Sequence, residues 1–256
     1  MLTKKLCALS FCLIILFLLG SCASISWPRA YNDAIRDAIN PEPDEIVYNL
    51  TSIVQSNAEL AWRDFDGIPH VLMVSLVRNT SYYENSVGKQ YNTKEYYTWI
   101  TAVPEIRKIC SQQGFAGDDL TMRLRQLLGL PPNSKNVAFV EFWVNPKDVF
   151  RPSPDNEIVD TTAGLNLAAN TEPWYRKWFN ELRANQYCQS ENPKQDAYPW
   201  TQLGYTYDWG NSDSEQGVSE FVIKKGAEVI VNAIYLIDAY CNDTNEVIPT
   251  KVRKVP

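Results

Sequence analysis

Two groups of side chains in this chain have the types and spacing to do chemistry. Between Glu141 and Asp160 the sequence EFWVNPKDVFRPSPDNEIVD sets Glu141, Asp148, Asp155, Glu157 and Asp160 around one guanidinium, Arg151. Carboxylate pairs act as acid and base when their surroundings push their pKa values apart. Strand alternation puts Glu141 on one face with Phe139 and Trp143, where partial burial would raise its pKa. Paired with Arg151, the same Glu141 would be a structural salt bridge. Pro146, Pro152 and Pro154 stiffen a loop that presents Asp148 and Arg151, tolerable scaffolding for a site. The second group is YPWTQLGYTYDW, which holds Tyr198, Trp200, Tyr205, Tyr207 and Trp209, followed by Glu220 in SEFVI. Aromatic faces stack on sugar rings, bases and peptide side chains. With Asp208 and Glu220 beside them, they suit a glycan cleft or a glycosyl-transfer site; the same rings could equally be core.

Other chemistries find little support. The chain has one histidine, His70, which excludes multi-His metal sites and leads an apolar strand, where a structural role is expected. There is no GxSxG, HExxH, Walker-type GxxxxGK[ST] or GxGxxG motif. Asn211 to Glu215 is rich in oxygen ligands that would suit calcium, but reads more simply as a solvated turn. No metal or cofactor is expected. The catalytic candidates are Glu141, Asp148 and Glu220; the binding candidates are Arg151, Trp200, Tyr205, Tyr207 and Trp209. A net charge of −6 argues against nonspecific nucleic-acid binding, which needs a basic surface. A 45% hydrophobic content in 256 residues fits a chain with a real core, neither disordered nor multi-spanning.

The N-terminus carries an address. Lys4 and Lys5 precede an apolar run from Leu6 to Leu19, shorter than the ~20 residues of a comfortable helical span and laid out like an export signal. Leu19-Gly20-Ser21-Cys22 resembles the lipobox of bacterial lipoproteins: an aliphatic residue, two small ones, then cysteine. Gly20 departs mildly from the usual Ala or Ser. The resemblance covers the first 22 residues only and implies cleavage before Cys22, acylation of its thiol and then of the new amino terminus. Each buried methylene contributes ~0.8 kcal/mol, so two or three chains hold a folded body at a membrane. Ala23 is not an acidic retention signal, which favours the outer membrane in a double-membrane envelope.

Cys7 and Cys12 leave with the leader. Cys110, Cys188 and Cys241 remain for an oxidising compartment, with three possible pairings. Cys188 with Cys241 is the preferred pair, since both sit near element ends and would close a long loop. Three buried thiols acting as small hydrophobes are the alternative.

The elements that would position these groups follow from periodicity. Helices are predicted over 29–40, over 44–55 (from Ile46, Val47, Leu50, Ile53 and Val54), and from Pro104 to about Ser111. Another is capped by Asp118, carries Leu120, Leu124, Leu127 and Leu128, and ends at Gly129 and Pro131-Pro132. A last one starts near Thr171 with Pro173 in its first turn. Strands are predicted at 60–65, 70–78, 95–103, 137–144, 205–209, 217–223 and 228–237, with an Asp66-Gly67 turn. Strands mix with helices without βαβ alternation, so the expected fold class is α+β: a largely antiparallel sheet with packed helices. The expected organisation is a signal peptide at 1–21, a short tether at 22–27, and a single domain at 28–256.

LLGLPP (127–132), FRPSPD (150–155) and YPWTQLGYTYDWG (198–210) are similar to phrases of uncharacterised bacterial exported proteins, a group that brings no activity with it. The functional expectation is a lipid-anchored envelope protein that binds a glycan or another envelope protein through aromatic loops. The alternative is a carboxylate-dependent glycan hydrolase or transferase.

Overall fold

Seven consecutive buried residues, Ala138–Val144, form a strand with no solvent face. A polar-out alternation is therefore absent there, and the strand belongs in the middle of a sheet covered on both sides. In the computed structural model, which describes residues 27–112, 114–187 and 197–242, that is where it lies. In chain order the strands are β1 (Trp62–Phe65), β2 (Ile68–Val77), β3 (Gln90–Asn92), β4 (Thr98–Ala102), β5 (Ala138–Val144), β6 (Val149–Phe150), β7 (Tyr205–Tyr207), β8 (Gln216–Ser219), β9 (Phe221–Ile223) and β10 (Glu228–Leu236). Eight of them make one antiparallel sheet in the order β3-β10-β5-β2-β4-β9-β6, with β1 also paired to β2; β7 and β8 form a separate ribbon. The helices are α1 (Trp27–Asp37), α2 (Val103–Gln112), α3 (Gly117–Leu127), α4 (Pro173–Tyr187) and α5 (Ile237–Cys241). The fold is α+β, as the patterning implied.

Local chemistry explains most boundaries. Asp66 and Gly67 both take positive φ, 55° and 80°, the requirement of a two-residue hairpin, and the Asp64 carboxylate accepts from Gly67 N at 2.7 Å. α3 ends in a Schellman turn: Leu130 N donates to Arg125 O and Gly129 N to Gln126 O, with Gly129 at φ 62°. Its start differs from expectation. Ala116, not Asp118, is the capping position, and Asp238 of α5 supplies the acceptor for Gly117 N at 3.0 Å.

The helix expected over 44–55 does not form. Only Pro43–Glu45 makes a short 3-10 turn. Beyond it the chain runs as an irregular strap whose Leu50 N and Ile53 N donate to Thr161 O and Ile158 O. Buried Leu50 and Ile53 match helical spacing, but docking against a loop supplies the backbone partners a helix would have used.

Register sorts the sheet into two faces. One carries Val71, Met73, Ala102, Val140, Phe142 and Val231 and is sealed by the strap (Ile53, Leu60) and by Ile158. The other carries Leu72, Val74, Phe139 and Trp143 under Ile106, Leu120, Leu124 and Tyr240 of α2, α3 and α5. Its far end carries Phe150 and Val222 under α1 and α4.

Cys110 on α2 is bonded to Cys241 on α5, which corrects the expected Cys188–Cys241 pair. Both helices rest on the same sheet face, so the bridge joins neighbours that the sequence separates by 131 positions. Cys188, the leader, Cys22 and the tether up to residue 26 lie outside the described residues. Among the described residues no helix is long and apolar enough to cross a membrane.

Candidate functional site

The carboxylates singled out in the sequence are mostly structural. Glu141 is 2% exposed. Its Oε1 accepts from Arg107 of α2 at 2.8 Å, not from Arg151, and its Oε2 accepts from Asn232 Nδ2 at 2.7 Å. Asn232 is the extra residue of a β-bulge in β10, between Val231 and Ala233. The bulge turns its amide towards Glu141 and lets it accept from Trp143 Nε1 as well, at 3.0 Å. Arg107 lies over the Tyr240 ring, 4.4 Å from its centroid.

Arg151 is fully buried and pairs with Asp160 at 2.8 Å. It also donates to the carbonyls of Thr162, Asp160 and Thr51, so it clamps the strap and the 158–165 loop together. Asp148 lies in the short 3-10 turn Pro146–Asp148. Asp208 is held by Arg123 through two bonds, at 2.8 and 2.6 Å.

The aromatic stretch is largely internal. Trp200, Tyr205 and Trp209 are 5%, 1% and 6% exposed. The indoles donate to Pro152 O and Leu130 O, and the Tyr205 hydroxyl donates to Glu215. These three rings form no exposed patch, while Tyr198 and Tyr207 are half-buried. These contacts instead draw LLGLPP, FRPSPD and YPWTQLGYTYDWG into one cluster. Glu215 gathers with Asp37 and Glu45, their oxygens within 4.8 Å of one another. Burial, and then the charge of Glu45, push its carboxyl up to about 7 against the Tyr205 hydrogen bond. The rest of the Asn211–Glu215 segment is turn, with Asp213 N bonded to Asn211 Oδ1. His70 Nδ1 lies 2.9 Å from Ile68 O, and its ring packs T-shaped against Phe65.

Glu220 is the exception. It sits at the break between β8, which pairs with β7, and β9, which pairs with β4. Its N–H donates to Gly204 O at 2.9 Å. Two residues before Val222, it shares the face that carries Trp99, and an extended ladder would set it opposite Thr101. That face opens there into a partly enclosed cavity of about 440 Å³, within the ~300–1,000 Å³ range of small-ligand pockets. Val74 and Leu76 of β2, Trp99 and Thr101 of β4, and Phe139 of β5 form its floor. The Schellman turn Leu128–Leu130 and Leu182 and Gln186 of α4 form its walls. Tyr198, Pro199 and Trp200, with Tyr207, close it.

Tyr187 fixes that cover: its hydroxyl donates to Trp200 O at 2.8 Å and accepts from Trp200 N at 2.9 Å. Gln186 accepts from Tyr198 N, and Arg78 at the rim donates to the Tyr198 hydroxyl at 3.2 Å.

The Glu220 carboxyl has no hydrogen-bond or ion-pair partner among the described residues. The cavity leaves it partly accessible, yet protein crowds it on all sides, and burial alone holds its pKa well above the ordinary value. Thr101 Oγ1, on the cavity floor, is also buried and unbonded. A desolvated carboxyl without a partner costs stability, which in a cavity of this size points to a ligand.

Of the sequence candidates, the structure brings Glu220, Trp200 and Tyr207 to this cavity. It leaves Glu141, Asp148, Arg151, Tyr205 and Trp209 elsewhere. Trp99 and Thr101 were missed. Their alternation on β4 shows that they share a face, but nothing local marks that face as uncovered. No protein-family model, curated protein or solved structure matches this chain.

Proposed function

We propose that this chain is a bacterial envelope lipoprotein whose folded body is a binding module. It is held at the membrane, the outer one in a double-membrane envelope, through acylated Cys22, and takes a small ligand into the cavity beneath Tyr198–Trp200. The observation that carries the binding reading is the Glu220 carboxyl, without a partner among the described residues, in a largely aromatic and aliphatic cavity of about 440 Å³. The Cys110–Cys241 disulfide supports an exported location, because such bonds persist in oxidising compartments. The hydrolase reading is weaker: among the described residues a second carboxylate does not line the cavity, and glycoside hydrolysis uses two.

Two experiments test this. Growth with an alkyne fatty acid should label the wild-type protein and leave Cys22→Ser unlabelled; equal labelling of both would refute the anchor. Native mass spectrometry of protein extracted from envelopes in mild detergent should find a noncovalent small molecule. The cavity-filling Leu182→Trp should lose it. A wild-type chain that carries no adduct, or an adduct kept by Leu182→Trp, would refute the binding site.

A further inference from the structure

The chemistry of the cavity narrows its ligand. We propose that the ligand is an organic amine, its ammonium group held at Glu220 and its apolar body against Trp99, Tyr198 and Trp200. This rests on the cavity being a ligand site, as proposed above.

The groups that point into the space favour positive charge. Glu220 brings a carboxyl that has no partner among the described residues. Trp99 and Trp200 meet at 82° with centroids 6.4 Å apart, so one presents a face where the other presents an edge. The negative faces of Trp and Tyr rings attract cations, most strongly when desolvated. Among the described residues Arg78 is the cation in the lining, and it is exposed at the rim and engaged with the Tyr198 hydroxyl. A carboxylate ligand would face Glu220 and the ring faces, both unfavourable. A neutral acceptor would leave the ring faces unused. The net charge of −6 also favours the approach of a cation.

The titratable groups around Glu220 are Tyr187 from α4, Tyr198 and Tyr207 from the cover, and Arg78 from the end of β2. Glu105 of α2 faces the neighbouring Ser219, whose N–H and hydroxyl it accepts. Burial disfavours the charged carboxyl in the empty cavity, so at pH values where Glu220 still holds its proton, binding an ammonium ion ionises it. The O–H bond of the carboxyl breaks, its proton leaves to buffer, and the carboxylate so formed pairs with the ammonium. One proton is released per ligand. Amine affinity therefore rises about tenfold per pH unit while the empty protein still holds the proton. A neutral acceptor bound to the protonated acid would show affinity falling as pH rises.

The test uses the oxidised, acylated protein in detergent and probes matched in shape: tryptamine, indole-3-ethanol and indole-3-propionate, then decylamine, decanol and decanoate. Binding is read by calorimetry in buffers of different ionisation enthalpy, and for the decyl probes also by tryptophan fluorescence. The amine of each shape that binds should be at least about tenfold tighter than its alcohol, the difference expected of a single desolvated ion pair. It should release close to one proton, and Glu220→Gln should bring amine and alcohol together. If Glu220→Gln does not fold, proton release and the pH slope of the wild-type protein decide. Alcohols or carboxylates that bind as well as the amines would overturn the amine assignment while leaving the cavity a binding site. Failure of all six probes would overturn both.

Discussion

Replacing Glu220 with glutamine should flatten the pH dependence of folding stability. Burial holds the Glu220 carboxyl well above its ordinary value of 4.5. Between the unfolded and folded pKa values the native state keeps a proton that the unfolded chain has released. Its contribution therefore destabilises the fold as pH rises through that window and levels off above the folded value. One such group gives a slope of at most ~1.4 kcal/mol per pH unit. Glutamine has no proton to lose and contributes no slope. Two other carboxyls act in the same direction. Glu105 is raised by burial, against hydrogen bonds from Ser219 and Thr51. Glu215 is raised to about 7, so its effect ends near there, and partial exposure reduces it. Both remain in the variant and cancel in the difference. Urea unfolding of both proteins, with the disulfide intact, from about pH 5 to about pH 8 isolates Glu220. The stability of Glu220→Gln relative to wild type should grow with each pH unit, by up to ~1.4 kcal/mol. Parallel curves would mean that Glu220 ionises as it would in water, and the argument from its burial would fail.

Other perturbations test the framework around the cavity. Glu141→Gln weakens the bond to Arg107, whose side chain is 31% exposed against 2% for Glu141; a loss of roughly 3 kcal/mol, the low end for breaking a buried pair, is expected in urea unfolding. A loss below ~1 kcal/mol would show the pair to be as weak as a surface one. Gly204→Ala should destabilise by more than the ~1–3 kcal/mol of backbone strain, because φ is +80° and the new Cβ would lie 2.5 Å from Arg151 Cδ; an unchanged melting temperature would contradict the packing described. Reduction of Cys110–Cys241, which spans 131 positions, should cost ~2–5 kcal/mol, whereas Cys188→Ser should leave that bridge and the stability it confers in place, as peptide mapping and thermal melts can check.

How legible the molecule was depended on whether a signal was local. The hairpin at Asp66-Gly67, the apolar run of β5 and the glycine stop at Gly129 each encode their own geometry, and the structure keeps all three. The strap at 46–54 misled because Leu50 and Ile53 bury at helical spacing while their backbone bonds go to residues more than a hundred positions away. The disulfide misled for the same reason: three cysteines permit three pairs, and only the shared sheet face of α2 and α5 selects one. Glu141 and Asp208 look chemical in sequence because their partners, Arg107 and Arg123, are distant along the chain. Glu220 was legible as a carboxylate on an apolar strand face. Its isolation was not, since that depends on what α4 and the Tyr198–Trp200 cover leave unfilled.

The most direct test of the account is carbon-13 NMR of the Glu220 carboxyl, assigned by comparison with Glu220→Gln, in the empty protein and in the presence of decylamine. The account predicts a carboxyl that titrates above the ordinary carboxylate range in the empty protein and ionises when the amine binds. A carboxyl that titrates within the ordinary range in the empty protein, or one whose signal ignores the amine, would contradict it.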